Sequence, residues 1–170
     1  MTQAFIGIDP GAKGGIALLM PNRVEFKSLP DRPNEIWNLI LELTTTAEQC
    51  DEVHTLIEQV SGFQGVAHPG SRMFSFGKCC GWIEMALVGL LPSKQEGNIH
   101  TVLPKVWQKG LGISSLKKTG NKSKDDTAWK NHLKREAERR FPELLIIKAT
   151  ADALLIAAYC RQENEYVERD

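Results

Sequence analysis

"FIGIDPGAKGGIALL", Phe5 to Leu19, is the stretch that decides the fold. Ala4 to Asp9 reads as a buried strand ending on an acid, Pro10-Gly11 as a turn, and Gly15 to Met20 as the hairpin partner. The turn accounts for the Pro and the Gly, because one presets φ and the other tolerates unusual backbone. It leaves open why an acid should stand beside so much apolar chain.

Working outward, Val24 to Lys27 is a third strand closed by "LPDRP". A helix is expected from about Asn34 to Gln49, with Ile36, Leu39, Ile40 and Leu43 on one face. "VHTLIEQV" is a strand of branched apolar residues ending at Glu58 and Gln59, and "SGFQGVAHPG" is a loop by composition. A long helix follows from about Ser71 to Leu91, with Gly77 and Gly81 four apart on one face, open to close backbone approach or to packing on the sheet. "IHTVLP" reads as a strand, "LKKTGNKSKDD" as a mobile loop, and Thr127 to Arg140 as a basic helix. After the short apolar "LLIIK", "TADALLIAAYC" forms the last helix, with Thr150 as its N-cap. A β-meander followed by alternating strand and helix predicts an α/β fold with a mixed sheet covered by helices.

The 170 residues, 42% of them hydrophobic, suffice for one well-packed domain over 1–170, with a core at about 3–163. No 18-residue uncharged apolar run is present, so no transmembrane helix and no membrane partner are expected. The N-terminus lacks a basic region followed by a small-residue cleavage site, so no secretory signal is expected. Cys50, Cys79, Cys80 and Cys160 show no C-x-x-C spacing and the four histidines are scattered, which argues for reduced thiols and against a zinc site. Net charge is zero but unevenly spread. Thr101 to Arg140 holds 11 Lys and Arg against 4 Asp and Glu, while the rest of the chain holds 10 against 17. Such a basic segment suits either a surface that meets phosphates or a solvated helix face.

Three acids stand where elements end: Asp9, Glu58 and Asp152, the last in the first turn of the final helix. Each has a plainer reading, as a turn-bonding Asp, a solvated Glu, and an Asp favoured by the helix dipole. Together they suggest more, because ligands of α/β sheets collect at the carboxyl ends of strands. With strands one and four as neighbours and the last helix across them, the three would meet. Converging carboxylates repel unless cations balance them, and an all-oxygen donor set suits Mg²⁺ or Mn²⁺. Two such ions roughly 3.5–4 Å apart activate a water and stabilise the leaving oxygen of a phosphodiester. Asp9 would then be the central ligand, and the Pro-Gly turn would leave room for a phosphate.

"FIGIDPGAKGGIALL", "LIEQV", "FSFGKCCG", "VLPKVWQKGLG" and "TADALLIAAYC", taken in order from Phe5 to about Cys160, resemble the successive motifs of RuvC-type Holliday-junction resolvases. The likeness is to the phage, bacterial and organellar branch with a V-x-P-x-x-W motif. It implies an RNase H-like fold, a mixed five-stranded sheet flanked by helices. It also implies a homodimer joined partly by the long helix, and paired Mg²⁺-dependent nicks in four-way DNA junctions. The family's catalytic and metal-binding acids match Asp9, Glu58 and Asp152, with two ions per site. A phage-infected or bacterial cytoplasm is the implied setting, with an organelle left open. The family's usual fourth ligand, three residues before the last acid, is here Ala149. Two readings stay open: three acids complemented by water, or a variant inactive at Ala149.

For DNA, Lys117, Lys118, Lys122 and Lys124 are candidate phosphate contacts, and the resemblance puts a functional lysine at Lys122 or Lys124. Where the family often has Lys after the aromatic, Gln108 stands here and Lys109 follows, making Lys109 a further candidate. Phe63, just beyond Glu58, is a candidate wedge at the junction centre or a loop-packing residue. Phe74 and Phe76 read as helix core, as does Trp107; Trp129 reads as a possible stacking residue. The alternatives to a junction endonuclease are a non-catalytic junction-binding protein and a ribonuclease H acting on hybrids. An actin-like ATPase would need a second domain that this length does not hold.

Overall fold

The computed structural model describes residues 1–59, 70–91 and 98–167. Its sheet is built from β1 (Gln3–Asp9), β2 (Gly15–Met20), β3 (Arg23–Ser28), β4 (Glu52–Glu58) and β5 (Ile99–Val102), in the order β3-β2-β1-β4-β5. β1, β2 and β3 pair antiparallel as a meander, while β4 joins β1 and β5 joins β4 in parallel. The sheet is mixed and five-stranded, as expected, with β1 at its centre.

Alternation along β1 sorts its side chains between two cores. Ala4, Ile6 and Ile8 face α1 (Pro33–Ala47) and α2 (Gly70–Leu90), where they pack with Ile36, Ile40, Leu43, Ile83 and Leu87. Phe5 faces the opposite layer, made by α3 (Pro104–Gly110), α4 (Lys122–Arg140) and α5 (Lys148–Val167). α5 carries eleven consecutive buried residues, Thr150 to Cys160, because it lies on the sheet and is itself covered by α4. A helix apolar all round its middle is a buried helix. Gly7 makes the contact possible: a Cβ there would stand 2.2 Å from the backbone nitrogen of Ala157.

The sequence reading erred at several boundaries. α3 was missed; Pro104 starts it at N1, where the lost N–H has no intrahelical partner to lose. α4 begins at Lys122, not Thr127, because the Asn121 side chain accepts a hydrogen bond from the Lys124 amide and caps it. Nor is "LKKTGNKSKDD" loose throughout, since the Thr119 amide and hydroxyl both donate to Asp125. Thr150 is not an N-cap. It lies inside α5 and donates back to the Ile147 carbonyl, so Asp152 stands just past the first turn.

α2 departs most from expectation. Phe74, Met85 and Val88 are 69%, 66% and 51% exposed, so Phe74 is no core residue. Among the described residues, a Cβ at Gly77 or Gly81 would meet nothing within 4 Å, so these glycines do not pack on the sheet. By length and composition alone, Met73–Leu90 is apolar enough to cross a membrane, although Lys78 and Glu84 lie within it.

Candidate active site

In parallel register Gly7 pairs with Leu56 and Ile8 with Ile57, so the next residues in each strand, Asp9 and Glu58, come abreast. Alternation puts Asp9 on the face of Phe5 and Gly7, and Glu58 on that of Leu56, which is the face covered by α5. Both acids lie at the carboxyl ends of parallel neighbours. Beyond Asp9 the chain turns away through Gly11, whose φ of +127° favours glycine, and the Phe76 ring packs beside it.

Asp152 reaches the same place from α5 and is nearly buried, at 4% exposure. Two further side chains complete the cluster. The Trp107 indole N–H donates to Glu58 Oε2 at 2.8 Å, and the Lys130 ammonium pairs closely with Asp152 Oδ2. Trp107 is fully buried, as its core assignment required, and its N–H finds the acid as partner.

The electrostatics tie these groups into one unit. Burial pushes the Asp9 carboxyl up to about 8; Asp152 adds to the rise, Lys130 opposes it, and Glu58 adds again. Burial also raises Glu58, against the Trp107 hydrogen bond, with Asp152 raising and Lys130 lowering it. For Lys130, burial disfavours the charge, but Asp152, Asp9 and Glu58 outweigh it and hold the ammonium above its ordinary range.

Whether this site suits a divalent cation has two sides. Among the described residues, no group of three or more His, Cys, Asp or Glu is arranged to hold a metal ion. One oxygen of Glu58 is engaged by Trp107 and one of Asp152 by Lys130. The donor chemistry nonetheless fits a hard cation: all three donors are carboxylates, and Asp152 Oδ1 is buried with no hydrogen-bond partner among the described residues. Ala149, three residues before Asp152 in α5, adds no donor.

Among the DNA-contact candidates, Lys109, Lys117, Lys118, Lys122 and Lys124 are all exposed. Lys109 lies in the last turn of α3, and Lys122 and Lys124 in the first turn of α4. Lys124 is six residues from Lys130, about 9 Å along the helix axis. Phe63 lies outside the described residues. Trp129 is partly buried against the core and beside His132, with ring centroids 5.4 Å apart, rather than free to stack. Lys130 was not among the expected site residues. It precedes Leu133 and Ala137 by three and seven residues, so spacing puts it on their side of α4, but spacing does not name the acid that it meets.

Neither a family model nor a curated protein sequence matches the chain. Among solved structures it is similar to Thermus thermophilus RuvC in complex with a Holliday junction substrate, at 16% identity and a TM-score of 0.57, over 95% of this chain and 96% of that one. A second T. thermophilus RuvC structure matches at the same identity and TM-score, over 96% and 97%. The fold is therefore RNase H-like, with a mixed five-stranded sheet and flanking helices. More particularly, it is the fold of RuvC.

Proposed function

We propose that this chain is a structure-selective endonuclease that resolves four-way DNA junctions by paired, divalent-metal-dependent nicks, acting as a homodimer. One observation carries the reading. Asp9, Glu58 and Asp152, from three separate elements, form a single buried electrostatic cluster at the carboxyl ends of β1 and β4, in the fold of RuvC.

Asp9, Glu58 and Asp152 are the residues that would hold Mg²⁺ or Mn²⁺, which supplies an activated water and a charge on the leaving oxygen of a phosphodiester. Asp9 is central among them, on the middle strand. Trp107 fixes one oxygen of Glu58 and so limits that carboxylate's rotamers. Packing of α5 on Gly7 keeps bulk water from Asp152. Lys109, Lys117, Lys118, Lys122 and Lys124 supply positive charge for phosphates, which would anchor DNA without reading its sequence. Phe63 remains a proposed wedge. The four free cysteines suit a reducing, cytosolic setting.

What supports the dimer is the face of α2. Phe74, Gly77, Gly81, Met85 and Val88 recur at spacings of three and four, which makes one stripe along the helix. The stripe is apolar, open at its glycines and uncovered, as befits a helix that meets its own copy. A second reading, a non-catalytic junction-binding protein, is favoured by Ala149 and by the Lys130 ammonium on Asp152.

The test is nicking of a synthetic immobile four-way junction in Mg²⁺, with linear duplex and RNA–DNA hybrid as controls, for this chain and for Ala149→Asp. Paired cuts in the junction alone, by either protein, are expected. Tight junction binding without cutting by both would favour the second reading. Hybrid cleavage, or no preference for the junction, would overturn the proposal.

A further inference from the structure

Lys130 has no part in the chemistry above, yet its ammonium contacts the most buried of the three acids. The pair is lopsided: the Asp152 side chain is 5% exposed, whereas that of Lys130 is 48% exposed. The lysine therefore reaches in from solvent along a flexible stem, and it binds as a point charge without the two-point grip of an arginine. It takes Oδ2 only; Oδ1 stays buried and, among the described residues, unpartnered. Its charge also acts on Asp9 and Glu58, so one cation faces three carboxyl groups.

We propose that Lys130 is a displaceable internal counter-ion, which competes with a divalent cation for Asp152. This rests on the metal-centre reading above. The physical reason is that both cations seek the same oxygens, and like charges cannot share them. Among the described residues the three acids are not arranged as a three-donor site, and the ammonium holds one oxygen of Asp152. Release of Asp152 would free both of its oxygens for a cation beside Asp9 and Glu58, and Lys130 would withdraw to the solvent side from which it came. The competition keeps the acidic centre from taking cations at low concentration. A purely architectural role, bridging α4 to α5, would predict lost stability on removal of the lysine and no gain in affinity.

The experiment is calorimetric titration of Mn²⁺ into the full chain and into Lys130→Met, Lys130→Gln, Lys130→Arg and Asp152→Asn at fixed ionic strength. Lys130→Met and Lys130→Gln are expected to bind Mn²⁺ on the order of tenfold more tightly, as for loss of one competing partly exposed charge. Two such variants guard against one that fails to fold. Lys130→Arg should stay near the unmodified chain, and Asp152→Asn should lose the site. Equal or weaker binding by folded Met and Gln variants would overturn the inference while leaving the metal centre standing. Absence of Mn²⁺ binding from the unmodified chain and the Met and Gln variants alike would overturn the metal reading, and the inference with it.

Discussion

Asp9 has its carboxyl raised to about 8, chiefly by burial and then by Asp152, so in metal-free buffer it keeps its proton at neutral pH. The folded chain thus holds a proton that the unfolded chain releases near 4, which makes stability fall as pH rises from about 4 to about 8 and level off beyond. Asp9→Asn should flatten that slope and be the more stable of the two at pH 9, as read by urea unfolding at pH 5, 7 and 9. A parallel slope in both would show that the burial of Asp9 has been misjudged. Trp107 gives a second test at this scale. Trp107→Phe removes the hydrogen bond to Glu58 and leaves a void in the core, so a loss of about 2–3 kcal/mol is expected in denaturant unfolding. Asp9 and Glu58 were legible from chain position, because acids at the ends of apolar strands stand out against their neighbours; Asp152 lies within α5 and joined them only through the expected packing of that helix across the sheet. Lys130 was less so: its address depends on how α4 packs over α5, which the lysine-rich composition of that segment conceals.

Among the elements, α5 on β1 positions the site. The contact exists because Gly7 has no side chain where Ala153 and Ala157 pass. Gly7→Ala should push α5 off the sheet, costing about 3 kcal/mol or more by overpacking, and should carry Asp152 out of register with Asp9. Denaturant unfolding together with nicking checks both effects; full stability in Gly7→Ala would mean that the helix sits farther from the strand. The strands were readable because branched apolar runs and a Pro-Gly turn have few other outcomes. The starts of α1 and α2 were readable to within a residue, whereas those of α3 and α4 were not. α4 begins where Asn121 caps it, within a stretch whose Lys, Gly and Ser suggest a loop, and α3 is too short for its periodicity to show.

At the scale of the whole molecule, the uncovered stripe of α2 and the division of charge carry the account. Phe74→Glu combined with Met85→Glu should leave the fold intact and yield a monomer in sedimentation velocity, where the unmodified chain should sediment as a dimer. A monomeric unmodified chain would remove the homodimer from the proposal. Spacing fixes only which residues share a face, so it left the Gly77/Gly81 face open to the sheet or to a partner; the position of α2 against α1 leaves that face off the sheet. In the proposed activity Asp9, Glu58 and Asp152 act as one hydrolytic unit. The most direct test of this is the rate of junction nicking in Mg²⁺ by Asp9→Asn, Glu58→Gln, Asp152→Asn and the Asp9/Asp152 double variant, with junction binding measured alongside. Losses of about a thousandfold or more in each single variant, no further loss in the double, and retained binding are the predicted result. Near-normal nicking by any one variant, or losses that multiply in the double, would contradict it.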